Sequence, residues 1–76
     1  MNGKRRAELR DAVTMLGRAT LIVDGVCDRE QDAVDNCPEN LQNTEKYEAM
    51  EQALETLYEA IEKMDEAKGY IETAIR

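Results

Sequence analysis

Histidine, tryptophan and phenylalanine are all missing from this 76-residue sequence. Without histidine, a nucleophile would have to be activated by lysine or a carboxylate, and Cys27 and Cys37 have no histidine partner for a zinc site. We therefore expect no catalytic residue, no cofactor and no metal ligand, and we expect that the protein is not an enzyme. The two cysteines are interpreted as small apolar core residues, with a reactive or cross-dimer thiol pair as the alternative.

Long apolar runs are missing as well. No segment approaches the roughly 18 apolar residues of a membrane span, and the N-terminal MNGKRRAELRD lacks the apolar core of a signal peptide. These features predict a cytoplasmic protein with reduced cysteines. The net charge is −7, and residues 39–76 hold ten acidic but only four basic side chains. Direct binding to nucleic acid or to an anionic membrane is disfavoured, because both require a basic surface.

The second half of the chain carries the strongest periodic signal. Its large apolar residues recur at spacings of three and four, as in an amphipathic helix with a heptad repeat; they are Tyr47, Met50, Leu54, Leu57, Ile61, Met64, Ile71 and Ile75. With Tyr47 at position a, every g position is alanine, namely Ala53, Ala60, Ala67 and Ala74. A small residue repeated along one flank lets a neighbouring helix approach closely, so this helix suits a bundle.

The first half fits a heptad less cleanly, because its apolar arc is wider. With Leu9 at position a, apolar residues occupy positions a, d, e and g between Leu9 and Cys27, about four of the seven positions. One helix packing on a single hairpin partner needs fewer. We therefore expect this helix to contact its hairpin partner and a further surface. The Asp24-Gly25 pair is also compatible with a short β-hairpin, but helical periodicity continues through it.

A turn around Pro38 separates the two helices. Proline disfavours helical geometry at the preceding residue and cannot donate a helical hydrogen bond, and Asn43 or Thr44 can cap the helix that follows. Leu41 is expected to close the end of the bundle. The prediction is one all-α domain over residues 1–76, an antiparallel two-helix hairpin with a helix at 4–36, a turn at 37–43 and a helix at 44–75.

Charges predict contacts within the hairpin. An antiparallel fold brings the basic residues near the N-terminus, Lys4, Arg5, Arg6 and Arg10, beside the C-terminal half of the second helix. The acidic residues there are Glu62, Asp65, Glu66 and Glu72. Exposed pairs of this kind contribute little to stability, about 0–1 kcal/mol each.

The width of the first helix predicts a homodimer. A two-helix hairpin has little interior, because each helix buries one stripe, and a second copy would complete a four-helix bundle. The residues expected to contact that copy or another protein are Met15, Ile22, Val26 and Tyr58. For Tyr58, packing over its own neighbours is the alternative.

A series of glutamates lies outside the apolar a and d positions of the second helix, at Glu48, Glu55, Glu59, Glu62 and Glu66. The ordinary interpretation is a solvated helix face. Carboxylate-bridged metal bundles require a Glu-x-x-His partner, which this sequence lacks. The alternative is a rigid acidic ridge that imitates a line of phosphates and occupies a basic groove on a nucleic-acid-binding protein.

Most of the chain resembles a group of short, uncharacterised proteins encoded by bacteriophages and integrated mobile elements of Gram-positive bacteria. The likeness rests on an acidic stretch before Asp35-Asn36, the turn PENLQ, the helix start at Glu45, and the Ala/Glu-rich helix that follows. A basic start, here KRR, is also typical of the group. Cys37 departs from the pattern, since a larger apolar residue is expected before the proline. The resemblance implies no activity, only a genomic setting in which small acidic proteins often act by binding.

These observations favour a non-enzymatic accessory protein of phage or mobile-element origin that binds proteins through helical surfaces in the cytoplasm of a bacterial host. Its expected partners are a second copy, a host protein, or both. The alternative is an acidic anti-defence inhibitor, resembling anti-CRISPR proteins, that blocks a nucleic-acid channel of a host effector. A small catalytic or metal-binding bundle is the third interpretation.

Overall fold

The computed structural model describes residues 1–76 and contains two long helices joined by a short turn. Helix α1 spans Gly3–Asp35, a 3-10 turn spans Glu39–Leu41, and helix α2 spans Glu45–Ala74. The helices pack against each other in an elongated molecule of 60 × 15 × 13 Å. The expected all-α fold is confirmed, and each helix end lies one residue from its predicted position. Helix α1 is continuous through Asp24-Gly25, so no β-hairpin forms there.

Each helix begins at a polar cap. The Asn2 side chain accepts a hydrogen bond of 2.8 Å from the backbone N–H of Arg5, and Thr44 Oγ1 accepts one of 3.3 Å from the N–H of Tyr47. Both bonds satisfy backbone donors that have no partner within the helix. Of the two candidate caps for α2, Thr44 is therefore the one used.

The chain leaves α1 where Pro38 prevents its continuation. The N–H of Asn36 still bonds to the carbonyl of Asp32, over 2.9 Å. The turn then closes with a bond of 2.9 Å from the N–H of Leu41 to the carbonyl of Pro38. Leu41 was expected to close the end of the bundle, but it remains 46% exposed.

The seam of α2 follows the predicted a and d positions. Leu54 is buried, and Tyr47, Met50, Leu57 and Ile61 pack around it. Together with Cys27 and Val34 of α1, Leu54 forms the small core, and these three are the only buried residues of the chain.

The seam of α1 runs along positions a and e, and the d positions are left at its edge. Cys27 and Val34, both at e, are buried, whereas Val26 and Ala33, both at d, are exposed. The reason is side-chain size. Three of the d positions are alanines, so the Val, Thr and Cys side chains at e bury more area against α2.

One contact shows how the two helices are aligned along their axes. The hydroxyl of Thr20 lies 3.9 Å from the sulfur of Met64, so Arg10 is level with about Ala74, since both helices rise 1.5 Å per residue. The first turn of α1 therefore extends beyond the end of α2. The expected pairing of Lys4, Arg5 and Arg6 with α2 is absent for this reason. Arg10, which is level with α2, also makes no ion pair, and the one ion pair in the structure is Lys63–Glu66, at 3.6 Å.

Candidate interaction surfaces

An uncovered apolar surface runs along one side of α1. Met15 and Ile22 are each 68% exposed and Val26 is 40% exposed. These three residues are seven and four positions apart, and at 3.6 residues per turn they lie on one face of the helix. Ala19 and Ala33 continue that face. Three of the four predicted partner-binding residues are thus brought together.

The alanine row of α2 lies on the same side of the hairpin. Ala33 of α1 and Met50 of α2 line one cleft, which shows that the d positions of the two helices face the same way. The g positions of α2 adjoin its d positions on the side away from the seam. We call the combined surface the apolar flank; it consists of Met15, Ala19, Ile22, Val26, Ala33, Ala53, Ala60, Ala67 and Ala74.

A cleft of about 460 Å³ marks the loop end of the apolar flank. Leu41, Tyr47 and Met50 supply much of its apolar lining, and Cys37 also borders it. The exposed Leu41 therefore covers one wall of an open cleft. Sequence reasoning missed this cleft, because its walls come from both helices and from the turn.

Tyr58, the fourth predicted partner residue, lies on the opposite side. It shares a smaller cleft with Gln31, Glu51 and Glu55, and its hydroxyl lies 3.4 Å from Oε1 of Gln31. We call this side, defined by these four residues, the polar flank. Tyr58 therefore does not join Met15, Ile22 and Val26 in one surface. The missed signal was its e position, which falls on the other side of the α2 seam from the alanines.

The predicted acidic surface continues from the polar flank around the outer side of α2. Its five glutamates, Glu48, Glu55, Glu59, Glu62 and Glu66, are all exposed. Glu48 and Glu55 line a shallow groove with Glu51 and Gln52. Only Glu66 has a cationic partner, Lys63. The ridge is therefore a line of exposed carboxylates on one helix, and all of them except Glu66 lack a cationic partner.

The two thiols occupy different environments. Cys27 is fully buried in the core, and Cys37 is half-buried in the turn. Burial raises the pKa of the Cys27 thiol, and the carboxylates of Asp24 and Asp28 raise it further. The thiolate is the reactive form of cysteine, so a buried thiol with a raised pKa is poorly reactive. Cys27 is therefore a core residue. Both thiols are free, and no three His, Cys, Asp or Glu side chains converge into a group that could hold a metal ion.

Two tyrosines of the hairpin also have altered acidity. Partial burial raises the pKa of Tyr58, which remains 45% exposed, and negative charge at Cys27, Asp28, Asp24 and Asp35 adds to the effect. Burial likewise raises the pKa of Tyr47, with Glu51 as the next cause. Both phenols therefore lose their protons at a higher pH in the folded chain than a free tyrosine, whose pKa is 10.0.

Neither helix has a stretch that is long and apolar enough to cross a membrane. Comparisons with protein-family models, with curated proteins and with solved structures found no match to this chain.

Proposed function

We propose that this chain is a non-enzymatic protein-binding protein that acts through its helical surfaces and self-associates into a four-helix bundle. The observation that carries the proposal is the apolar flank, where Met15 and Ile22 lie largely in solvent while only three of 76 residues are buried. Large apolar side chains that lie exposed together on one face of a small protein are typical of an interaction site. The resemblance to phage and mobile-element proteins supports an accessory role in the cytoplasm of a bacterial host.

The accessible surface supports a missing partner. The chain exposes 5876 Å², whereas an ordinary monomer of 8.6 kDa exposes about 4,700 Å². The difference, about 1,200 Å² per chain, is larger than the roughly 800 Å² that each partner buries in a standard interface. A dimer that buried this excess on both chains would bury about 2,400 Å² in total, within the range of permanent homodimers, which begins at about 2,000 Å².

Light scattering over a concentration series tests self-association. We expect a mass of twice 8.6 kDa for the wild type. Ile22→Lys should weaken the dimer at least about thirtyfold, because it places a charge in the centre of the interface. The matched control is Leu21→Lys: Leu21 is 72% exposed, as open as Ile22, but it points away from the apolar flank. This variant should remain dimeric.

A monomeric wild type at all concentrations would contradict the homodimer. Equal effects of Ile22→Lys and Leu21→Lys would contradict the apolar flank as the interface, because both place a lysine at a similarly exposed position and only Ile22 lies on that flank. Circular dichroism of both variants separates a loss of association from a loss of helix.

The second candidate function is an acidic inhibitor that occupies a nucleic-acid channel, as anti-CRISPR-like proteins do. The unpaired, exposed carboxylates of the acidic surface favour it. The probe is a purified RNA-guided nuclease of the CRISPR type, assayed for cleavage of target DNA. Inhibition should disappear when Glu55, Glu59 and Glu62 are changed to Gln, and it should weaken as salt is added.

The matched control removes the same charge elsewhere. Asp24, Asp28 and Asp32 are exposed on α1, and changing all three to Asn should leave inhibition intact. No inhibition by the wild type, or equal losses in both triple variants, would contradict a specific acidic ridge.

A further inference from the structure

Charge divides sharply along the long axis of the hairpin. Because Thr20 and Met64 are level, Ile22 and Glu62 are also level, and they lie about 30 Å from the start of α1, half of the 60 Å length. The half that contains the turn, residues 22–62, holds twelve acidic and two basic side chains, or −10. The open half, residues 1–21 and 63–76, holds eight basic and five acidic, or +3.

A twofold dimer through the apolar flank can be built in two ways. A twofold axis along the hairpin puts both turns at one end and stacks α1 on α2 of the partner. A twofold axis across the hairpin puts the turns at opposite ends and stacks each helix antiparallel on its own copy. Both cover the same apolar residues, so apolar burial does not choose between them.

Charge does choose. With both turns at one end, two halves of −10 face each other at the interhelical distance of about 10 Å. That separation is close to the Debye length at physiological salt, so the repulsion is only partly screened. With the turns at opposite ends, each −10 half faces a +3 half.

The basic first turn of α1 is a second reason to favour turns at opposite ends. Lys4, Arg5 and Arg6 extend beyond α2 and have no acidic partner in their own hairpin. In the opposite-end arrangement, with the axis near Ile22, this turn comes level with residues 38–40 of the partner, where Glu39 occurs just beyond the Asp35 end of α1. Opposite charges then meet at both ends of the α1 pair, which satisfies groups that the single chain leaves in solvent.

We propose that a second copy of this chain covers the apolar flank with its turn at the opposite end, so that α1 packs antiparallel on α1 and α2 on α2. This inference rests on the proposed self-association and adds its geometry. The alanine rows of the two α2 helices then face each other, and small side chains allow those helices to approach closely. The acidic surfaces remain outside, on both faces of the bundle.

The distance between the two turns tests the geometry. A spin label is attached at Asn40→Cys, an exposed turn position, in a Cys37→Ser background, and label separations are measured by double electron–electron resonance. The opposite-end dimer should give about 60 Å, the length of the hairpin. The same-end dimer would give less than about 30 Å, set by the interhelical distance and the label arms. Cys27 is fully buried, and the Cys37→Ser variant alone checks that it takes up no label.

Adding Ile22→Lys to the labelled chain should remove the long distance, and adding Leu21→Lys should leave it. A single short distance would overturn the opposite-end geometry but would leave self-association standing. The absence of any intermolecular distance, together with the mass of one chain by light scattering, would overturn both this geometry and the homodimer.

Discussion

The hydroxyl of Tyr58 on α2 donates a hydrogen bond of 3.4 Å to Oε1 of Gln31 on α1. The Nε2 of the same amide donates a bond of 2.9 Å to Asp35. One short chain of polar groups therefore connects the two helices along the polar flank. Tyr58 contributes to the pairing of its own helices, and the opposite flank is the one left uncovered.

Tyr58→Phe tests how much this bond stabilises the hairpin. The bond is long and partly exposed, so its loss should lower the free energy of unfolding by no more than about 1 kcal/mol, since the ring still packs. Urea unfolding at one fixed protein concentration measures the change, because the stability of a dimer depends on concentration. A loss above about 2 kcal/mol would show that the Gln31–Asp35 pair depends on the phenol.

Stability should fall at alkaline pH. The folded pKa values of Cys27, Tyr58 and Tyr47 are raised, chiefly by burial, so the unfolded chain loses these protons first. The stability they contribute is complete below the unfolded values, 9.0 for the thiol and 10.0 for the phenols. It is lost as pH rises from there through the folded values.

Urea midpoints between pH 8 and pH 11 measure this decline. Tyr58→Phe should show a shallower decline above pH 10 than the wild type, because one of the three groups no longer titrates. Parallel curves for the two proteins would contradict a raised pKa at Tyr58.

The two thiols should react in sequence with a thiol reagent such as 5,5′-dithiobis(2-nitrobenzoate). Cys37 is half-buried in the turn and should react in the folded protein, whereas Cys27 is fully buried and should react only after unfolding in urea. The expected count is one thiol per chain, then two. Cys37→Ser should give none, then one. Two rapidly reacting thiols in the folded wild type would contradict the packing of Cys27.

Gly17→Ala should stabilise α1. A Cβ atom at this position meets nothing within 4 Å, so the change should raise the free energy of unfolding by about 0.5–1 kcal/mol through helix propensity and a less flexible unfolded chain. Gly3→Ala is the control, because Gly3 is the first residue of the helix and lies outside its interior. A destabilising effect of Gly17→Ala would contradict this expectation and would indicate that another surface packs against that side of α1 in solution.

The candidate surfaces were only partly predictable. Met15, Ile22 and Val26 stand out in the sequence because they widen the apolar face of α1 beyond what packing against one helix requires. Tyr58 was grouped with them because an exposed tyrosine suits any interface. Tyr58 lies on the opposite flank from these three residues because of the direction in which the e position of α2 faces once α1 packs beside it. That direction is a property of the packed helix pair and cannot be read from either helix alone.

The sequence by itself determined the two helices, their caps and the seam of α2. Pro38, Thr44 and the spacing from Tyr47 to Ile75 act locally, within a few turns, and need no information about the rest of the chain. Only the tertiary structure decided which face of α1 meets α2 and how the two helices are aligned. Helix α1 has apolar residues enough for more than one seam, and the choice depends on how Cys27 and Val34 fit against Leu54. The face of α1 that meets α2 leaves the apolar flank open, and the alignment of the two helices leaves the basic first turn without an ion-pair partner.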